Sequence, residues 1–209
     1  MATMTTSVTS ESKSTRRRGR WCVAAGLVGV AQGAVMLAWP HQVDYARYSF
    51  PLTASWYVLA QVTFFLQHLP LAVAVGTVAS LPALRRQRLA RRALILATAG
   101  LALLALVELV AVSAANTAND SSLGTAISSL YSIPVLMTGV GALVAGIVLL
   151  RRKLLGRRLS WTLVALGLFV FIGLVPAIGT DSFVGGRLAI MAWMALFAFF
   201  GQFMQRPER

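Results

Sequence analysis

The chain has 209 residues, of which 57% are hydrophobic and 12% charged, and its net charge is +13. A soluble domain carries about 25% charged residues, so this composition excludes an ordinary soluble fold. The positive charges fall in short clusters between apolar stretches, which is typical of membrane topology and argues against nucleic-acid binding. The single cysteine, Cys22, excludes an internal disulfide, and no Cys/His cluster has metal-ligand spacing, so we expect no metal site.

The chain begins with a small, polar segment that ends in the basic run RRRGR. Its low apolar content predicts disorder, and we interpret residues 1–20 as a disordered, basic, cytoplasmic N-terminus. A basic run before an apolar stretch resembles a secretory signal, but this stretch is too long and further apolar stretches follow.

Six apolar stretches follow, each near the roughly 20 residues that a transmembrane helix requires. We therefore predict an all-α membrane protein with six transmembrane helices in one bundle over residues 21–204, followed by a cytoplasmic tail, 205–209. Ala25, Gly29 and Gly33 recur every fourth residue and favour the close approach of another helix. The predicted spans are 21–39, 55–83, 93–115, 125–150, 159–178 and 188–204.

The basic residues predict the orientation of these spans. All but two of the 19 Lys and Arg residues lie in the N-terminus, the tail and the loops 85–92 and 151–158. The exceptions, Arg47 and Arg187, are assigned to the outer loops. Positive residues mark the cytoplasmic side, so we expect both termini inside the plasma membrane of a bacterium. Anionic lipid headgroups are the expected partners of the two loops, with these candidate residues: Arg85, Arg86, Arg91, Arg92, Arg151, Arg152, Arg157 and Arg158.

Two segments resemble each other. Leu69-Pro70 through RRQRLARR and Ile133-Pro134 through RRKLLGRR each combine a proline, a small-residue half and a basic turn, and a glycine follows in the next span, Gly100 or Gly167. One interpretation is a parallel helix-hairpin repeat, as in some transporters. The alternative is that any two inner loops of a basic membrane protein look alike, and we favour it.

The second span carries unusual hydrogen-bonding capacity. Tyr57, Gln61, Phe64 and His68 fall on one helical face, which we expect to point into the bundle because lipid would leave its polar groups unpaired. Gln67 is expected to hydrogen-bond another helix. His68 is a candidate proton relay or haem ligand, but a single buried histidine is weak evidence for haem, so we expect a hydrogen-bonded core histidine and no cofactor.

Glu108 is the one acidic residue within a predicted span. At 1.5 Å rise per residue, it reaches the level of Gln61, and Tyr131 and Ser132 reach a similar level, so the sequence predicts a pocket in the outer half of the membrane with His68 deeper. A carboxyl at that depth stays protonated or finds a partner. It either carries protons or cations, or is a neutral acid that only holds neighbouring helices together.

The outer loop 40–54 is rich in aromatic residues, with Asp44 and Arg47 three residues apart. It is interpreted either as a lid over the pocket or as an interfacial aromatic belt with a surface ion pair, and the belt is favoured because such belts are routine.

The pattern YSFPLT followed by Gln61 and His68, with LVEL around Glu108, resembles small six-span membrane proteins common in actinobacteria. No activity is assigned to those proteins. The resemblance implies location and architecture and supplies no catalytic residue.

Three classes of function remain open at this point. The leading hypothesis is a non-enzymatic membrane protein whose outer pocket binds a lipid, a small solute or a partner, including a second copy of the chain. The first alternative is a small proton-coupled transporter that uses Glu108 with Gln61 or His68. The second is an intramembrane enzyme acting on a lipid, although no hydrolase, P-loop or metalloprotease motif is present.

Overall fold

The fold is a bundle of long helices, described here for residues 3–180 and 182–206 of a computed structural model. Within these residues the only β contact is an isolated bridge between Arg47 and Ala118, so the predicted all-α class is confirmed. The helices are α1 (Thr3–Ala38), α2 (Ala54–Ala79), α3 (Arg88–Ala111), α4 (Ser122–Arg152), α5 (Arg157–Phe169), α6 (Val175–Gly179) and α7 (Phe183–Gln205). A π-helical turn, Val170–Leu174, joins α5 to α6, so that 157–179 form one span.

Six segments are long and apolar enough to cross a membrane. Their outward faces carry large apolar side chains that water would not tolerate in such numbers, which identifies a multi-pass membrane protein. Representative exposed side chains from the six spans are Leu27, Leu59, Leu106, Ile133, Ile172 and Phe199.

The spans form a closed ring. Each span packs against its neighbours in the chain, and α7 closes the ring by packing on α1 and α5. The contact of α1 with α7 is close enough to require glycine: a Cβ atom at Gly26 would lie 2.7 Å from the backbone nitrogen of Ala198, and one at Gly201 would lie 2.6 Å from the carbonyl oxygen of Gly19. A close backbone contact of the first span is thus at Gly26, next to the predicted small residues; of those, Gly29 and Gly33 face the side chains of Met194 and Met191 on α7.

The two ends of the bundle differ in charge. We call the end formed by residues 40–53, 112–121, 180 and 182 the loop end, and the end formed by 80–87 and 153–156 the arginine end. The eight arginines proposed to bind headgroups are all exposed at the arginine end.

All six spans begin earlier in the chain than the sequence predicts, and the differences at α1 and α7 change an assignment made from the sequence. α1 is helical from Thr3, so most of the segment expected to be disordered continues the helix of the first span; residues 1–2 lie outside the described part, as do 207–209 of the predicted tail. α7 begins at Phe183, where the Ser182 hydroxyl accepts a hydrogen bond from the Gly185 amide at 3.1 Å. This cap starts the helix within the expected loop, so the assignment of Arg187 to a loop was wrong.

The possible repeat does not extend to its glycines. Gly100 of α3 packs against Pro134 and Thr138 of α4, whereas Gly167 of α5 packs against Gly139 and Leu143 of α4. The first glycine therefore contacts the following hairpin and the second contacts its own.

Candidate functional site

A cavity of about 390 Å³ lies at the loop end. It is bounded by α2, α3, α4, the fifth span and α7, and the segment 40–53 covers it. Its upper part is polar, and its deep walls are apolar. The polar and charged lining residues include Arg47, Tyr57, Gln61, His68, Glu108, Tyr131 and Arg187. The deep walls are formed by Phe64, Leu104, Val135, Leu174, Ile190, Trp193 and Met194.

A chain of hydrogen bonds crosses the polar part. The Tyr131 hydroxyl donates to Glu108 Oε2 at 2.6 Å and accepts from Gln61 Nε2 at 3.1 Å. The same amide donates to the Tyr57 hydroxyl at 3.0 Å, and that hydroxyl donates to the carbonyl oxygen of Ala111 at 3.4 Å. The sequence predicted this level for all four side chains, and the network joins α2, α3 and α4 around one buried carboxyl.

Glu108 is 7% exposed, yet no cation lies within ion-pair distance of it among the described residues. Tyr131 supplies the donor that a buried carboxyl oxygen requires. The carboxyl therefore lines the cavity without a direct counter-charge.

His68 lies deeper, as predicted. Its Nδ1 is 2.7 Å from the carbonyl oxygen of Phe64, so Nδ1 carries the proton and donates to its own helix. Nε2 is then the nitrogen left to interact with the cavity. The side chain is buried and does not bond Glu108.

The segment 40–53 forms a lid over the cavity, and not only an aromatic belt. Tyr45, Arg47, Tyr48 and Phe50 all line the cavity, and the Phe50 ring meets the Phe183 ring of α7 with centroids 5.1 Å apart. Burial raises the pKa of the Tyr48 phenol, so this hydroxyl stays protonated at neutral pH.

Hydrogen bonds tie the lid to the segment that follows α3. The Tyr48 amide donates to Thr117 O at 3.0 Å and the Asn119 amide to Ala46 O at 2.8 Å. The Asn119 side chain donates to Tyr45 O at 2.8 Å. These hydrogen bonds fix the lid to the rest of the bundle.

The expected ion pair between Asp44 and Arg47 does not form. Arg47 Nη1 donates to the carbonyl oxygen of Asn116 at 2.9 Å, and Asp44 Oδ1 accepts from the Ala46 amide at 2.8 Å. The backbone of the two loops satisfies both side chains, so only Arg47 belongs to the site.

Two other predicted residues lie outside the cavity. Ser132 is exposed on the outer face of α4, because Tyr131 takes the inward position and the next residue points about 100° away around the helix. Gln67 is buried between α1, α2 and α7, where its Nε2 lies 3.1 Å from Met194 Sδ and its Oε1 has no partner in the described part of the chain.

Arg187 is the site residue that the sequence analysis missed. It lies one turn into α7, is partly buried, and lines the cavity together with Glu108, Tyr57 and Tyr131. The signal was present in the charge distribution, since Arg47 and Arg187 are the only two cationic residues assigned to the loop end. Counting them as loop charges hid the fact that both face one cavity.

Among residues 3–180 and 182–206, no cluster of three His, Cys, Asp or Glu side chains has the geometry to hold a metal ion. Comparison of the chain with protein-family models, curated proteins and solved structures finds no match. The function is therefore inferred from the cavity's own side chains.

Proposed function

We propose that this multi-pass membrane protein binds a small amphiphile, with one apolar chain or ring system, in the cavity at its loop end. The observation that carries the proposal is the cavity itself: about 390 Å³ of space within a hydrophobic bundle, in the range of about 300–1,000 Å³ that small-molecule sites occupy. Such sites combine apolar walls with a few placed polar groups.

Apart from His68, which lies at the deep end, the cavity becomes less polar with depth, as an amphiphile requires. Arg187 and Glu108 lie near the lid, whereas Trp193 and Met194 line the deep part. Arg187 and Trp193 are six residues apart on α7, so their levels differ by about 9 Å. A polar head near the lid and an apolar tail toward Trp193 would match these surroundings.

The packing of side chains below the cavity supports a binding function over transport through the bundle. Leu71, Leu101 and Leu163 are fully buried, and the second pocket, at the arginine end, shares no lining residue with the cavity. The proton-coupled transporter that uses Glu108 would need a path through this packed layer. The enzyme alternative would need a nucleophile beside His68 Nε2, and no serine, threonine or cysteine of the described residues hydrogen-bonds that nitrogen.

The charge distribution supports an orientation in the plasma membrane with both termini cytoplasmic, because the arginine end carries the exposed arginines and positive loops stay inside. The loop end, and with it the cavity, then belongs to the outer half of the membrane. The exposed arginines of loops 85–92 and 151–158 would meet anionic lipid headgroups.

The test uses 11-bromoundecanol as a probe, because bromine quenches tryptophan fluorescence on contact and Trp193 lines the cavity. With the purified protein in nanodiscs of zwitterionic lipid, we expect saturable quenching that Trp193→Phe removes. Val135→Phe fills the cavity and should abolish the saturable component.

Val140→Phe is the matched control, since it makes the same change on the same helix at a side chain that is 42% exposed. It should bind the probe as the unmodified protein does. Quenching that is equal in both variants, or never saturates, would refute a binding site in the cavity.

A further inference from the structure

The loop end of the bundle is poor in charge, yet its cations converge. Of the 19 Lys and Arg residues only Arg47 and Arg187 lie at this end, and both line the cavity. Of the acidic residues that the structure describes, only Glu108 lines it. The described part of the lining therefore carries more positive than negative charge.

Arg187 is held in the cavity without a polar partner among the described residues. Its guanidinium carbon lies 5.4 Å from the centre of the Phe183 ring, and the guanidinium makes no hydrogen bond or ion pair with any residue in 3–180 or 182–206. An arginine inside a membrane bundle normally finds a partner or lines a water-filled cavity. Five N–H donors are thus left for something that enters the cavity.

The surroundings of Arg187 suit an oxyanion. The planar guanidinium matches the geometry of a carboxylate or a phosphate. Ser182, the N-cap of α7, lines the same space, and a hydroxyl that accepts a hydrogen bond still has its own proton to donate. Helix N-termini also favour negative charge.

We propose that the head of the amphiphile is an oxyanion, a carboxylate or a phosphate monoester, which Arg187 binds directly beneath the lid with Arg47 adding positive charge from above. This inference rests on the proposed function and names the chemical class of its ligand. The apolar chain extends from the head past Ile190 to Trp193.

Glu108 offers a competing explanation, in which Arg187 is only its counter-charge across the cavity. The two side chains are farther apart than an ion pair, and Glu108 already accepts from Tyr131 at 2.6 Å. The two explanations differ in their consequences: a counter-charge would serve the protein's stability, whereas a binding residue would serve the affinity for anions.

The test compares 11-bromoundecanoate with 11-bromoundecanol at pH 8, in the nanodisc assay of Trp193 quenching. The two probes share chain and bromine and differ in the charge of the head. We expect the acid to bind more tightly than the alcohol, and Arg187→Gln to weaken the acid by at least about tenfold, since hydrogen bonds to charged groups contribute about 1.5–3 kcal/mol. The affinity for the alcohol should change little in this variant.

Three variants separate the interpretations. Arg187→Lys should retain part of the preference for the acid, because it keeps the charge and loses the fork of donors. Arg85→Gln removes an exposed arginine from the opposite end and should leave the affinities for both probes unchanged. Glu108→Gln should leave the binding of the acid equal or tighter, because it removes a carboxyl from the cavity lining.

Equal binding of acid and alcohol, or equal loss of both in Arg187→Gln, would overturn the oxyanion head and leave the pocket in place. Absence of saturable quenching by either probe would overturn the pocket itself. Competition by inorganic phosphate would show that the site accepts a free anion, whereas competition by dodecyl phosphate alone would show that it requires the chain; both results support an oxyanion site.

Discussion

At the scale of single residues, the site depends on one hydroxyl. Tyr131 donates to Glu108 and accepts from Gln61, so it connects three helices through two hydrogen bonds. Gln61 has a second acceptor in Tyr57. The Glu108 carboxyl accepts its short hydrogen bond, of 2.6 Å, from the Tyr131 hydroxyl.

Tyr131→Phe should therefore destabilise the protein by about 1–3 kcal/mol, because it leaves a buried carboxyl oxygen without its donor. Thermal unfolding of the purified protein measures the effect. Tyr48→Phe is the matched control: its hydroxyl makes only a 3.5 Å contact with Ser128, and its loss should cost less than about 1 kcal/mol. Equal losses for the two variants would contradict the network described for Glu108.

Residue-level prediction from the sequence succeeded where periodicity and depth agree. Tyr57, Gln61 and His68 recur on one face of α2, and helix rise alone placed Glu108 at the level of Gln61. Ser132 failed because a depth argument does not distinguish adjacent residues that point in different directions. Arg187 was missed because Gly185 and Gly186, in the first turn of α7, resemble a loop and interrupt the apolar pattern that predicts a helix.

At the scale of elements, the closest contact is that of α1 with α7. Gly26 faces backbone atoms of Ala198, so the two helices approach without an intervening side chain, as small residues permit in membranes. This contact fixes α7, which carries Arg187 and Trp193, against the rest of the ring.

Gly26→Ala should separate the two helices and destabilise the protein by about 1–3 kcal/mol, the usual cost of overpacking. Gly186→Ala, within α7, is the control because a Cβ atom there meets nothing within 4 Å; alanine should be neutral or stabilising by about 0.5–1 kcal/mol, since glycine weakens a helix. Unfolding measured for both variants tests the contact, and a harmless Gly26→Ala would disprove it.

For the lid, the sequence analysis identified the aromatic segment but favoured the wrong arrangement for it. The aromatic residues of loop 40–54 were interpreted from the sequence either as a lid or as an interfacial belt, and the belt was favoured. The lid forms because Phe50 meets Phe183 and because the backbone of residues 46–48 pairs with the segment after α3. Such contacts join segments about 70 or more residues apart, and local sequence patterns do not report them.

At the scale of the whole molecule, the bundle has an end with exposed arginines and an end with a lid. Span number and fold class followed from hydropathy and length, because lipid admits few alternatives to helices. The ring closure by α7 and the cavity depend on packing between spans, which composition does not encode.

The orientation is testable with introduced cysteines, since Cys22 is fully buried and should give little background. Asp44→Cys at the loop end should react with a membrane-impermeant maleimide in intact cells. Lys153→Cys at the arginine end should react only after the cells are permeabilised. Both positions are exposed, and the reverse pattern would contradict cytoplasmic termini.

The central claim is that the cavity at the loop end holds an amphiphile with its head at Arg187. The most direct measurement is a crystal structure with 11-bromoundecanoate, in which the anomalous signal locates the bromine. We expect a bromine peak beside Trp193 and density for the carboxylate at the Arg187 guanidinium. Bromine found only in grooves between lipid-facing side chains, with the cavity filled by ordered water, would contradict it.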